Sequence, residues 1–516
     1  MATTLAETII RLDRADPVGL ALVDLEPGAE LGVDYGRVLV LDPVPRGHKL
    51  ALVNLPAGGE VRKYGQPIGL ATRNILAGEH VHNHNLRSLA RAGPAHATAE
   101  LAASATVAAA PAPDAAVEVR TFDGIRRTDG RVGIRNYVAV LSSVNCSATV
   151  VKRIAAAFST PGALDEYPGV DGVIAITHST GCGMAADGEG LALLRRTLAG
   201  YARHPNVGAA ALVGLGCEVN QISALTDDLG LEGPLVIQEL GGAAATVRRG
   251  VDQVRELLAT AAATSDRTQV PLSALTLGLN CGGSDAWSGV TANPVLGVAV
   301  DRLVAAGGTA VLAETPEIHG AEHLLTRRAA SPEVARALLE RVQWWEHYAG
   351  AEGGSLDNNP SPGNRAGGVT TIEEKSLGAV AKGGSTPLRA VYRYAEPITT
   401  PGLVFMDTPG YDPVSVTGIV AGGANLVCFT TGRGSVFGCR PAPSLKLSTT
   451  TELYRRMTDD MDFDCGPVLD GRTTVAELGE ALFEQIIEVA CGRPTKSEEF
   501  GFGDEEFVPW QLGAVM

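Results

Sequence analysis

The chain carries two hydrophobic rhythms. Up to about residue 91, apolar and polar positions alternate at a period near two, in short runs broken by Gly or Pro: "VGLALVDL", "VLVLDPV", "KLALVNL" and "HVHNHN". Alternate strand side chains face opposite sides, so this rhythm predicts a small all-β module. From Gly124 onward, short apolar runs end in small or polar residues: "YVAVLSSV", "GVIAITHS", "AALVGLGC", "LTLGLNC" and "TAVLAETP". Helical patterns such as "EGLALLRRTLAGYARH" and "GAAATVRRGVDQVRELLATAAAT" fall between them. That alternation predicts α/β units built on largely parallel sheets.

Between the two rhythms, "ARAGPAHATAELAASATVAAAPAPDAAVEV" is dominated by Ala with Pro and reads as a linker. A composition dip at "TAAATSDRTQVPLS" marks a boundary inside the α/β part. The expected organisation is a β module at 1–92, a linker at 93–118, a second, α/β domain at 119–265 and a C-terminal α/β domain at 266–516. A length of 516 residues suits about three domains.

Charge and composition narrow the partners. A formal net charge of −16 disfavours nucleic acid and anionic membrane. No run approaches the roughly 18 apolar residues of a membrane span. The N-terminal "MATTLAETIIRLDRADPVG" carries Glu7, Asp13 and Asp16 and lacks a long apolar core, so no secretory signal is expected. Eight cysteines are too sparse for a disulfide scaffold, and reduced thiols in the cytoplasm are the expectation.

In open α/β sheets, ligands bind beyond the carboxyl ends of the strands. Those ends read "SSVNCSAT" with Cys146, "THSTGCG" with His178 and Cys182, "GLGCEVNQ" with Cys217, and "LNCGGSDAWSG" with Cys281, Ser284 and Asp285. A free cysteine is commonly a small buried hydrophobe. Four at equivalent strand ends make clustering around a soft or borderline metal an equal alternative. The chain has 10 histidines, and His80, His82 and His84 fall at every second position. On a strand their rings share a face; converging they are metal ligands, facing water they are merely polar.

Three further groups stand out. Arg433 in "TTGRGSVFG" suits an anionic ligand or an ordinary surface turn. Glu314 and Glu317 in "AETPEIHG" are each a base, a metal ligand or a carboxylate at a helix N-terminus. Lys375 and Lys382 share a face if "TIEEKSLGAVAKGG" is helical, and Lys382 reads as solvated. No G-x-G-x-x-G follows a strand to open a helix and no Walker pattern occurs, which disfavours a nucleotide-dependent oxidoreductase.

Taken together, "RRTDGRVGIRNY", "THSTGCG", "GLGCEVNQ", "CGGSDAWSGVTANP", "NPSPGNRAGG" and "TTGRG" resemble the altronate dehydratase and galactarate dehydratase family. The likeness spans nearly the whole chain, and the N-terminal module resembles a β-clip (SAF) domain. "HVHNHN", "PEIHGAEHLL" and "GGVTTIEEKSLG" resemble the altronate branch, while Thr180 departs from the Tyr expected before the Gly-Cys pair. The resemblance implies a hydro-lyase that converts a sugar acid to a 2-keto-3-deoxy acid. It also implies a divalent metal, with iron(II) favoured and manganese(II) allowed.

Under that reading His178 is the favoured base, Lys375 the second choice if burial lowers its pKa, and Glu314 an acid or ligand. Ser284, Asp285, Asn293 and Arg433 are candidates to hold the substrate's carboxylate and hydroxyls. His80, His82, His84, Cys146, Cys182, Cys217 and Cys281 are candidate metal ligands. An altronate-type aldonate is favoured; galactarate, another hydroxy acid, or a non-catalytic sugar-acid-binding homologue is the alternative. A homo-oligomer is compatible with all of these.

Overall fold

The computed structural model describes residues 8–33, 36–89 and 120–516; the expected linker at 93–118 lies outside the described residues. The N-terminal part is all β, as its rhythm predicts. Strands Ile9–Ile10, Val18–Ala21, Lys49–Ala51 and His80–Val81 form one antiparallel sheet. Glu60–Lys63, Gln66–Ala71 and Leu86–Arg87 form a second, and Glu30–Val33 pairs with Gly36–Leu39. Gly78 has φ +93, and a Cβ there would strike the carbonyl of Leu39, so only glycine can lead the chain into His80.

The histidine comb is not one strand. Pairing covers only His80–Val81, and the chain then turns through residues 82–85. The buried Asn85 causes this: its Oδ1 accepts from the His82 N–H at 2.9 Å and its Nδ2 donates to the His80 carbonyl at 2.9 Å. Side-chain bonds of this kind offer the backbone an alternative to the ladder.

The second domain's parallel sheet runs in the order Gly172–Ile176, Tyr137–Ser142, Val207–Gly214, Leu235–Val236. The two quoted helical patterns become helices Glu189–Ala202 and Ala243–Ala262. The C-terminal sheet has seven parallel strands in the order Leu388–Tyr392, Gly402–Met406, Thr309–Leu312, Thr276–Cys281, Leu426–Thr431, Ser444–Ser448, Phe463–Asp464. Its strands are apolar on both faces because both faces are covered. Leu403 and Phe405 pack with helices Ala292–Ala305 and Val475–Ala490 on one side, whereas Val404 and Met406 meet Ile419 of helix Asp412–Ala421 on the other.

The expected division near residue 265 is bridged by structure. Strand Thr121–Arg126 pairs antiparallel with Arg267–Pro271, in the register Phe122↔Val270. The two α/β parts also share one apolar cluster, in which Tyr137, Leu198 and Tyr201 meet Val414, Phe429 and Phe507. Among the described residues, no helix is long and apolar enough to cross a membrane.

Candidate active site at the junction of the β module and the C-terminal sheet

Two neighbouring strands of the C-terminal sheet deliver a buried acidic centre. Thr276–Cys281 ends in Cys281, and Thr309–Leu312 runs into Glu314 and a 3-10 turn at Thr315–Glu317. Glu314 is completely buried and left-handed at φ 67, a conformation that costs a non-glycine residue on the order of 1–3 kcal/mol. Its amide donates to Thr408 Oγ1 at 2.9 Å, and its Oε2 accepts from the Cys281 amide at 3.0 Å. Its Oε1 is buried without a hydrogen-bond partner. The Cys281 thiol donates to Glu317 Oε2 at 3.2 Å.

Helix Ile372–Val380, capped by the Thr371 side chain, supplies the opposing charge. Lys375 Nζ donates to Glu317 Oε1 and to Asn359 Oδ1, both at 2.6 Å. One 3-10 turn later Lys382 Nζ donates to Glu314 Oε2 at 2.9 Å. Lys382 is therefore not solvated as expected: it is 1% exposed, because the helix lies inside the protein and its continuation faces the strand ends. The ion pairs with Glu317 and Glu314 raise the pKa of both lysines against the pull of burial, so Lys375 is an ammonium and not a weakened amine. Burial and the neighbouring acids push the Cys281 thiol well up. Asp412, whose carboxylate lies against Gly282, is pushed up to about 8 by burial and by Glu314 and Glu317.

The β module closes this centre from above. Glu374, fully buried, accepts from Lys49 Nζ at 2.8 Å, from Lys63 Nζ at 2.9 Å, and from Thr370. Two buried ammoniums thus share one carboxylate; Glu374 is held far below the usual carboxylate range and Lys49 is weakened to about 8 by desolvation. Thr371 Oγ1 donates to the Ile68 carbonyl and Ser88 Oγ to Glu373. Tyr64, at φ 61, is a second left-handed non-glycine residue here, and its hydroxyl lies over Gly289. The void lined by Lys63, Tyr64, Ser284, Ser288, Asn293 and Lys375 is about 10 Å³.

A second constellation sits on the module's edge. His48 precedes strand Lys49–Ala51, which pairs Leu50 opposite His80, and the ligand atoms of His48, His80 and His82 lie within 4.8 Å of one another. Burial holds all three imidazoles neutral, with His80 lowered to about 4 and His82 to about 3. His82 Nδ1 is buried with no hydrogen-bond partner. His84 is exposed and lies outside the set. Cys281, Glu314 and Glu317 also lie within 4.8 Å of one another, but Lys375 and Lys382 already neutralise the two carboxylates. By charge, a divalent cation fits the neutral histidines better, and borderline metals favour imidazole.

The remaining expected residues fall elsewhere or take other tasks. Asp285 accepts from the Trp287 amide and from Ser288 and Thr449 hydroxyls, so it clamps its own loop. Asn293 donates to the Gly378 carbonyl at 2.9 Å and accepts from Thr430. Ser284 is buried beside the void, and Arg433 is exposed, its stem against Gly283. His178 is not in this centre. It ends a strand of the second domain, donates from Nε2 to the Ser142 carbonyl at 3.0 Å, and accepts at Nδ1 from Thr180. Cys146, Cys182 and Cys217 stay exposed in that second domain, so the four cysteines do not share one rim: Cys281 is buried with the glutamates of the other sheet. Sequence spacing does not single out His48, Lys49, Lys63, Glu374 or Asp412. A lysine inside an apolar strand, as in "HKLALV", is the one local signal that pointed to any of them.

Comparison with known proteins matches this architecture throughout. Three family models cover the chain: the altronate/galactarate dehydratase SAF domain at residues 7–89, the D-galactarate dehydratase/altronate hydrolase second domain at 124–262, and the D-galactarate/altronate dehydratase C-terminal domain at 272–515. The altronate dehydratase of Escherichia coli (strain K12) is 36% identical over 498 residues, 96% of this chain and 97% of that protein. The galactarate dehydratase (L-threo-forming) of the same organism is 36% identical over 502 residues, 95% of this chain and 94% of that protein. The (2R)-sulfolactate sulfo-lyase of Chromohalobacter salexigens matches as two chains. Its beta subunit is 34% identical over 403 residues, 76% of this chain and 98% of the subunit; its alpha subunit is 40% identical over 83 residues, 15% of this chain and 88% of the subunit. With all three family domains present in order and both dehydratases aligned almost end to end, the chain belongs to the altronate/galactarate dehydratase family.

Proposed function

We propose that the chain is a hydro-lyase that eliminates water from a sugar acid, an altronate-type aldonate being favoured, to give a 2-keto-3-deoxy acid. The observation that carries this is Glu314: a buried carboxylate on left-handed backbone, one oxygen tied to Lys382 and the other without a partner. Removing the proton beside a carboxylate builds negative charge, and expelling hydroxide needs an acid. Glu314 Oε1 accepts the C2 proton, its basicity raised by burial. The Lys375 ammonium faces the charge that develops on the substrate carboxylate. Asp412, protonated at neutral pH, donates to the leaving C3 hydroxyl, and the enol then tautomerises to the keto acid. Ser284, Asp285, Asn293 and Arg433 shape the loops around the substrate.

A divalent cation, iron(II) favoured and manganese(II) allowed, fits His48, His80 and His82, where it would supply Lewis-acid stabilisation of an oxyanion. A void of about 10 Å³ holds about one water. A sugar acid therefore enters when the β module and the C-terminal domain part. Altronate is favoured over galactarate on the histidine motif and on "GGVTTIEEKSLG", since the two relatives are equally identical overall. The test is anaerobic incubation with iron(II) and altronate, galactarate or sulfolactate, with keto acid measured. Keto acid from altronate, abolished by chelation, is expected. A folded, metal-loaded protein that forms none from either sugar acid would overturn the reading.

A further inference from the structure

The second domain holds three cysteines that the junction does not use. Cys146, Cys182 and Cys217 are free and exposed, one on each loop leaving three neighbouring parallel strands. Those strands end level: Leu141 is paired with Ile176 on one side and with Leu212 on the other. The loops are tied directly to one another. The Asn145 amide donates to the Thr180 carbonyl at 2.9 Å, and the Asn220 amide to Gly181 at 2.9 Å. Asn220 Nδ2 donates to the Ser143 carbonyl at 2.9 Å.

Glycine is required beside two of the cysteines. A Cβ on Gly181, at φ +99, would meet the Ser143 carbonyl at 2.5 Å and Val144 Cα at 2.8 Å; Gly216, at φ +126, precedes Cys217. His178 belongs to the same construction. Its ring bridges the strand end at Ser142 to the Thr180 amide, holding the Cys182 loop against the Cys146 loop. Unpaired exposed thiols are a liability to oxidation, so three on one braced rim call for a ligand. Among the described residues, the sets whose ligand atoms all lie within 4.8 Å of one another are the two at the junction. The three thiols therefore stand wider apart than the ligands of one ion. A cubane cluster puts each thiolate on a different iron, so its thiolate ligands stand farther apart than those of one ion.

We propose that Cys146, Cys182 and Cys217 bind a [4Fe–4S] cluster, leaving one iron without a protein ligand. This goes beyond the junction chemistry and shares no residue with it. Loading is a ligand exchange: three protein thiols replace three of the four external thiolates on a preformed cluster, each proton passing to the departing thiolate. The iron oxidation states are unchanged.

The test adds a synthetic [4Fe–4S] cluster capped by small thiolates to the full chain under anaerobic conditions, followed by gel filtration. Retention of about four irons and four acid-labile sulfides per chain, with broad visible absorbance and an EPR signal on reduction, is expected. Cys182→Ser with Cys217→Ser, and separately Cys146→Ala, should lose the cluster while melting as the parent does, since these side chains are exposed. Cys281→Ser and His82→Ala should retain it. A parent protein that retains no sulfide, or a double variant that retains as much as the parent, would overturn the proposal. Either result leaves the keto-acid test at the junction standing.

Discussion

At the scale of single residues, the junction rests on a few buried charges. Lys382→Met strands Glu314 without its cation, and breaking a buried pair costs about 3–5 kcal/mol. Urea denaturation should show that loss. His82→Ala should remove bound divalent metal, whereas His84→Ala should keep it and change stability by no more than about 0.5 kcal/mol. Inductively coupled plasma analysis separates the two. Glu314 is singled out in sequence by its place after an apolar strand, Lys375 by its helical segment, and His80 and His82 by their alternate spacing; the structure places the first two in one buried charge network and the histidines beside His48. Lys382 is buried against expectation, since helix-face reasoning cannot tell a surface helix from one enclosed on all sides. His48 was invisible: it stands alone in "RGHKL", and only the antiparallel register of Leu50 with His80 brings it to its partners.

At the scale of elements, alternation and apolar runs identified the β module and the strands carrying "GVIAIT" and "LTLGLN", because burial on one face or two leaves a direct trace in sequence. What they could not show was where a strand stops. Asn85 ends the histidine strand early through side-chain bonds, and no periodicity encodes that. The contact of module with C-terminal domain depends on absent side chains. A Cβ on Gly289 would meet Tyr64 Oη at 2.5 Å and Gly378 Cα at 2.8 Å. Gly289→Ala should therefore push the module outward, and hydrogen exchange should rise at residues 63–64 and 374–378 with the second domain unchanged.

At the scale of the whole molecule, the junction is a buried charge network between the β module and the C-terminal domain. Such a network links folding to pH. Asp412 has a folded pKa of about 8, above the ordinary value near 3.9, so between about pH 4 and pH 8 the folded state holds the extra proton and this group's contribution to stability falls as pH rises. Asp412→Asn should thus gain stability relative to the parent across that window, as urea titrations near pH 5 and pH 8 will show. If Asp412 is the proton donor, kcat/KM of the parent should fall as pH rises through about 8. The proposed mechanism places water elimination at the junction and not beside His178. The most direct measurement is keto-acid turnover from altronate in Glu314→Gln and His178→Asn, each checked for fold by circular dichroism. A loss of at least about a hundredfold in Glu314→Gln, with His178→Asn within about tenfold of the parent, is the expected result; the reverse order would contradict it.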